Sequence, residues 1–508
     1  MVSVPRQADT VIIGAGTCGV AMASRLIRGS DRTVLLLEAG PDWGSFAGGR
    51  WPAAVLDPTL MPVDRWQWDY VSAASTGTPG LPLERGRMMG GSSSHNGCAA
   101  VWGPRIDWEE WTAVGNPGWG VAEMVPLLEE ADRTMEVMQP KREELTPWHQ
   151  LVLAAAPSIG LPVLDNLNDI DNTTGFGIHK INIKNRNRWN MAFAYLDPIR
   201  DNPRLTIVAD ALVDRMWFNG TTCTGVDVVV EGTIHRVESH EVVLAGGAYG
   251  SPVVLMRSGV GPVEEIRSHG VEPVLNLPGV GRNLHDHPAF PLRYAGTDAI
   301  RGEMAAFGAA GGFLREEGTT ALVQSSRCEG PFDLHIYPVA SRPAAGRDWT
   351  FAISTAVMPP RSRGSITLGG RDPDAQPVID TGYFNDPEGY DLDALVDGIL
   401  VARELAATSP LAEVVGAEDS TSAAASSRDA LKAHVLRNST HDYHPAGTCK
   451  MAPASDPGAV VDSRGRVHGL EGVIVCDISI APGVPRANTN IPALAMALRV
   501  ADLTLGAS

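Results

Sequence analysis

Three separated stretches of the chain carry the residues best suited to chemistry. The first, Met89-Gly90-Gly91-Ser92-Ser93-Ser94-His95-Asn96-Gly97-Cys98, is poor helix and poor strand. Its glycines let backbone approach a bound group closely, while hydroxyls and amides donate hydrogen bonds. The second, Tyr443-His444-Pro445-Ala446-Gly447-Thr448, frames an imidazole. With an unperturbed pKa near ~6.5, such a group is well matched to taking a proton at neutral pH. The third, Gly14-Ala15-Gly16-Thr17-Cys18-Gly19, is a glycine turn of the kind that brings a phosphate to a helix N-terminus.

These residues need particular elements to position them. Val11-Ile12-Ile13 reads as a buried strand and Val20 to Leu26 as a helix; Val34 to Leu37 then forms a second strand ending at Glu38-Ala39-Gly40. Strand, glycine turn, helix, strand, acid is the order a dinucleotide fold requires. Glu38, 22 residues after Gly16, lies where a ribose hydroxyl is gripped. Further strands are expected at Leu205 to Val208, Val226 to Val230, Glu241 to Leu244 and Val473 to Cys476. The last leads to Asn488-Thr489-Asn490-Ile491-Pro492 and an apolar helix over Ala493 to Leu505, with Pro492 in its first turn and Asn490 as its cap. A strand, loop and helix so late imply a nucleotide domain closed by the C-terminal segment and therefore discontinuous. Gly302 to Gly330, rich in Gly and Ala, and Gly416 to Arg428, rich in Ser and Ala, read as loops or peripheral structure, including a candidate lid.

At 508 residues the chain is long enough for two domains folded through each other. Its net charge of -18 is spread along its length and disfavours nucleic acid or an anionic membrane surface as partner. No apolar run approaches the ~20 residues of a membrane span, and Met1 to Ala8 shows no basic-then-apolar leader. The six cysteines have no metal-type spacing and read as reduced thiols. A cytoplasmic protein without a metal is expected.

Four segments together resemble the glucose–methanol–choline flavoprotein oxidoreductases. Beside the N-terminal fingerprint stand Gly86-Arg87-Met88-Met89-Gly90-Gly91-Ser92-Ser93-Ser94-His95-Asn96, similar to the family's first signature, and Gly247 to Gly261, similar to its second. The fourth runs from Tyr443-His444-Pro445 through Asp477 to Asn488 and Asn490, and Gly279 to His287 resembles a family link. The resemblance spans nearly the whole chain. It implies an α/β (α+β) fold: an FAD-binding Rossmann-like domain with an antiparallel-sheet substrate domain. The FAD domain takes residues 1–155, 196–295 and 455–508, and the substrate domain 156–195 and 296–454. It implies FAD held by Gly14, Gly16, Thr17, Gly19, Glu38, Ala39, Arg87, Gly90, Gly91, Ser94, His95, Asn96, Gly97, Val213, Asp477, Asn490 and Ile491.

The catalytic pair it implies is His444, taking the hydroxyl proton of an alcohol, and Asn488, holding the substrate oxygen. The electrons pass from FAD to oxygen or another acceptor. The helix starting near Asn490 would stabilise charge arising on the flavin. Choline oxidases tether flavin to a histidine in the His95-Asn96 context, within a similar Trp-x-Pro-Arg continuation, here Trp102-Gly103-Pro104-Arg105; a bond to His95 and a hydrogen-bonding His95 both fit. Two departures matter. The stretch Ala305 to Gly312, where choline oxidases would cage a trimethylammonium, has one aromatic and no carboxylate, and Glu303, Glu316 and Glu317 read as a solvated face. Asp442 stands where choline oxidases place valine, which points to a hydroxyl-rich substrate or to a poor response to oxygen. The expected substrate is a small-molecule alcohol, with a sugar, glycoside or polyol favoured. The alternatives are an aryl, aliphatic or amino alcohol such as choline, or a hydroxynitrile-lyase-type reaction without net redox change.

Overall fold

The computed structural model describes residues 4–61, 65–74, 80–341 and 348–506. The first residues of the segment expected to lack a leader, 1–3, lie outside them.

A five-stranded sheet forms the floor of the first half. Its order is Val473–Val475, Glu241–Leu244, Thr10–Ile13, Val34–Leu37, Leu205–Val208, and every neighbouring pair is parallel. Three of these strands (Thr10–Ile13, Val34–Leu37, Val473–Val475) are buried at every position, as a parallel sheet covered on both faces requires. Ile13 pairs with Leu37 on one side and Leu244 on the other. The turns after these strands therefore emerge along one edge of the sheet, where ligands bind in open parallel sheets. The strand at Val473–Val475 lies beside Glu241–Leu244, so the C-terminal segment closes a sheet begun at residue 10.

Thr17–Gly29 forms a helix capped by Gly16 without a side-chain acceptor, which leaves its first amides free. It packs on the last helix, Asn490–Thr504. That helix begins at Asn490, three residues before the apolar run that starts at Ala493. Asn490 is its first residue rather than its cap: the flanking Thr489 holds φ -78° and ψ -8° and makes no capping bond. The strand expected over Val226 to Val230 belongs to a separate antiparallel meander of Ala211–Asn219, Thr222–Val230 and Thr233–Glu238.

The second half is a larger sheet ordered Val415–Glu418, Pro288–Gly296, Thr350–Val357, Leu334–Ser341, Thr319–Val323, Gly175–Ile178, Val163–Leu164. It is antiparallel apart from the last pair. Thr440–His441 adds to the start of Pro288–Gly296, with His441 opposite Pro288. That pairing ties the Asp286-His287 approach to the Tyr443-His444 approach. The helix Pro147–Ala155 places Trp148, Val152 and Leu153 in this half's core, ahead of the division drawn at residue 155.

Gly302–Gly330 and Gly416–Arg428, read as loops or peripheral structure, are not simple loops. The first overlaps the helix Asp298–Ala309 and holds the strand Thr319–Val323, buried at all five positions. The second supplies an edge strand, Val415–Glu418, and the short helix Ser420–Ala423. Alanine is a strong helix former, and Thr-Thr-Ala-Leu-Val suits a central strand better than the surrounding glycines suggest. Among the described residues no helix is long and apolar enough to cross a membrane.

Candidate active site

A cleft enclosing about 2110 Å³, its solvent-filled mouth included, runs from the edge of the parallel sheet to the second sheet. Its inner wall is built by close approach. Gly14 has φ +100°, and a Cβ there would stand 2.6 Å from the Ala245 carbonyl oxygen. A Cβ on Gly91, φ +53°, would stand 2.7 Å from the Gly16 Cα, so the serine loop lies directly against the fingerprint turn.

Glu38 stands at the end of its strand with both oxygens engaged. The Ala15 amide donates to Oε2 at 2.9 Å and the Gly40 amide to Oε1 at 3.0 Å. Burial nevertheless pushes its carboxyl up to about 7. Arg87 lies over the Trp68 ring at 4.8 Å and donates to the Ala39 carbonyl at 3.3 Å. Asp477 accepts from the Gly247 amide at 2.9 Å, the Ser251 hydroxyl at 2.5 Å and the Ser479 amide at 2.8 Å, cross-linking two of the strand-end turns. The Thr17 hydroxyl donates to Asn490 Oδ1 at 2.8 Å, joining the starts of the two helices. Asn490 Nδ2 and His95 Nδ1 are buried without a protein partner. A glycine-lined trough beneath free helix amides, with buried polar atoms left over, fits a dinucleotide-sized group.

At the other end stands His444. Its backbone amide donates to Asp286 Oδ1 at 2.7 Å, and the same oxygen accepts the His287 amide at 2.7 Å. His444 Nδ1 lies 3.0 Å from His287 Nδ1 and 3.4 Å from Asp442 Oδ2; His444 Nε2 lies 3.4 Å from Asn488 Nδ2. Tyr337 donates to Asp442 Oδ1 at 2.6 Å. Burial opposes charge on Asp442, yet the hydrogen bond and charge of His444, with Tyr337, leave its carboxyl below the usual value. His441, two residues away from Tyr443, accepts the Tyr443 amide at Nδ1 (3.1 Å) and points Nε2 at the Pro82 carbonyl (2.7 Å). That fixes the turn carrying His444, whose Tyr443 has φ +64°.

The cleft brings together Gly14, Gly16, Thr17, Glu38, Ala39, Arg87, Gly91, His95, Asn96, Gly97, Val213, Asp477, Asn490, His444 and Asn488. Four expected residues lie behind its wall. A Cβ on Gly19 would stand 1.9 Å from the Gly14 carbonyl, so this glycine serves helix–strand packing. Gly90 takes the left-handed turn, φ +85°, and Ser94 donates to the Met89 carbonyl at 2.8 Å. Ile491 is wholly buried in the core.

Sequence reasoning missed Glu317. It lines the cleft instead of a solvated face, and a Cβ on Gly97 would stand 3.9 Å from its Oε2. Burial, then Asp442, then Glu316 push its carboxyl up to about 8. None of Ala305 to Gly312 lines the cleft. Arg85 was also unforeseen: it lines the cleft and donates to the Tyr443 carbonyl at 2.9 Å. The signal for Glu317 was its place two residues before a fully apolar-capable strand, which carries it inward.

Comparison with known proteins agrees with this geometry. Models described as GMC oxidoreductase match residues 8–289 and 360–497. The chain is 30% identical over 532 residues to choline oxidase of Arthrobacter globiformis, covering 98% of this chain and 94% of that one. It is 32% identical over 545 residues to the mitochondrial choline dehydrogenase of Homo sapiens, covering 98% and 89%. The structure of pyridoxine 4-oxidase from Mesorbium loti superposes with a TM-score of 0.87 at 26% identity, covering 98% of this chain and 99% of that one. With two family models over most of its length and a cleft shaped for a dinucleotide, the chain belongs to the GMC oxidoreductases, FAD enzymes acting on CH–OH donors.

Proposed function

We propose that the enzyme oxidises an alcohol bearing a positively charged nitrogen, an amino alcohol of the choline kind, to its carbonyl. The sugar, glycoside or polyol favoured by sequence has less support. The observation that carries this reading is Glu317. It lines the cleft together with Asp442, and burial, then Asp442, then Glu316 disfavour its charge. A substrate cation supplies what that site lacks. The choline-named relatives cited above point the same way.

FAD, when bound, supplies the acceptor for the hydride leaving the carbinol carbon. The chain's own residues do the rest. His444 takes the hydroxyl proton at Nε2, the nitrogen facing Asn488, and Asn488 orients the oxygen. The N-terminus of Asn490–Thr504 offers free amides to charge accumulating beside it. His95 is held neutral, its pKa brought down to about 3 by burial and then by Arg85 and Arg188. A neutral imidazole with an unpartnered Nδ1 suits the covalent tether to FAD, which this reading includes. The five-segment domain division belongs to it too, with the first crossing moved ahead of Pro147.

Anaerobic mixing with a trimethylated amino alcohol, its neutral isostere 3,3-dimethylbutan-1-ol, and a glucoside tests the reading. The cationic alcohol should bleach the flavin at least about tenfold more efficiently than its isostere. Faster bleaching by the isostere or the glucoside overturns it.

A further inference from the structure

We infer that Asp442 is a positioning residue that fixes the proton of His444 on Nδ1 and so keeps Nε2 free to act as the base. The inference rests on the role of His444 proposed above and concerns the same site. A carboxylate can only accept. With Asp442 Oδ2 at 3.4 Å from His444 Nδ1, a proton on Nδ1 meets an acceptor, whereas a bare Nδ1 lone pair would face negative charge. Tyr337, donating to the other oxygen at 2.6 Å, holds the carboxylate in place.

The remaining neighbours agree with this tautomer. Asn488 Nδ2 lies 3.4 Å from Nε2, and in this amide orientation it donates to Nε2 as acceptor. His287 Nδ1, 3.0 Å from His444 Nδ1, cannot carry a proton at the same time. Burial keeps His287 neutral, so with one proton on its ring it can take that proton on Nε2 and accept from His444 at Nδ1. Asp442 therefore accepts from Tyr337 on one side and from His444 Nδ1 on the other, which leaves the lone pair of His444 on Nε2, the side where Asn488 lies. When His444 takes the alcohol proton, the imidazolium lies beside a carboxylate. The other titratable groups facing this pair are His335, His179, Glu317, Tyr443 and Asp286. Asp442 brings a carboxylate oxygen to 3.4 Å from the ring's Nδ1.

The test combines two measurements. First, ¹⁵N NMR of histidine-labelled resting enzyme, with His444 assigned by its absence in His444→Ala, should show the proton on Nδ1. In Asp442→Val the signal should move toward a mixture of tautomers. This readout needs no substrate, so it stands even if the amino-alcohol reading fails. Second, the rate of flavin reduction under anaerobic stopped flow should fall about ten- to a hundredfold in Asp442→Val, part of what a placed base supplies. Asp442→Asn keeps an acceptor and loses the charge, so it should keep more of the Nδ1-protonated tautomer and more of the rate. An Nε2 proton in the wild type, or an unmoved tautomer in Asp442→Val, overturns the inference.

Discussion

Replacing Glu317 by Gln tests the electrostatics of the cleft most directly. In the wild type burial, then Asp442 and Glu316, push the carboxyl up to about 8. At pH 7 only about one molecule in eleven carries the charge that a cation needs, and at pH 9 about ten in eleven do. A ligand that binds the charged form alone therefore has an apparent Kd about tenfold weaker at pH 7 than at pH 9, near 1.4 kcal/mol. Asp442 contributes no such slope over this range, because its carboxyl lies below the usual value and stays charged. Tetramethylammonium, which cannot be oxidised, is the probe, and isothermal titration in buffers of different ionisation enthalpy is the assay. Binding at pH 7 should release close to one proton, and affinity should rise about tenfold by pH 9. In Glu317→Gln the proton release should vanish, and the affinity should be weak and flat with pH. A flat wild-type profile, or a variant that keeps the slope, refutes the reasoning.

His444→Ala should retain FAD yet lose about 10²–10⁴-fold in the rate of flavin reduction, measured anaerobically; near-wild-type reduction excludes it as the base. Acid-precipitated wild-type protein should stay yellow and His95→Ala protein should release its flavin; colour in the wild-type supernatant defeats the tether. Glu38, held at about 7 against an unfolded value near ~4.3, keeps a proton that the unfolded chain releases. Stability of the flavin-free protein, made in a His95→Ala background, should therefore fall by about 3 kcal/mol as pH rises through that window and level off above it. Urea unfolding from pH 5 to 8 measures this, and Glu38→Ala should flatten the fall; an unchanged slope in the variant removes Glu38 as its source.

How far each feature could be read from the chain depends on the range of the interaction behind it. The fingerprint turn, Glu38 and the strands beside them were legible because each is local: a four-residue apolar run, a glycine step, an acid at a strand end. The late strand at Val473–Val475 was legible for the same reason, as was the start of a helix near Asn490. Asn490's own role was not. Its side chain turns to Thr17, 473 positions away, and nothing in Asn-Ile-Pro announces that partner. The Gly- and Ala-rich segments failed differently. Composition describes a segment's average, whereas the burial of Thr319–Val323 is set by Leu334–Ser341 and Gly175–Ile178 on either side.

Glu317 shows where this kind of reading stops. Beside Arg315 and Glu316 it belongs to a charged run, which on local grounds is a solvated face. The strand that follows carries the run into the interior, so three adjacent charges meet three environments. Arg315 is buried and has its pKa lowered to about 10, Glu316 is raised by burial, and Glu317 enters the cleft. No periodicity encodes that division, because it follows from the path of the chain around Gly318 into a central strand. Asp442 is the reverse case. Its distance of two residues from His444 marked it at once, but the spacing alone could not say whether the carboxylate faced substrate, oxygen or the imidazole. A turn with Tyr443 at φ +64° brings the i and i+2 side chains together, Asp442 Oδ2 to His444 Nδ1, and that single backbone angle decides which of the three it meets.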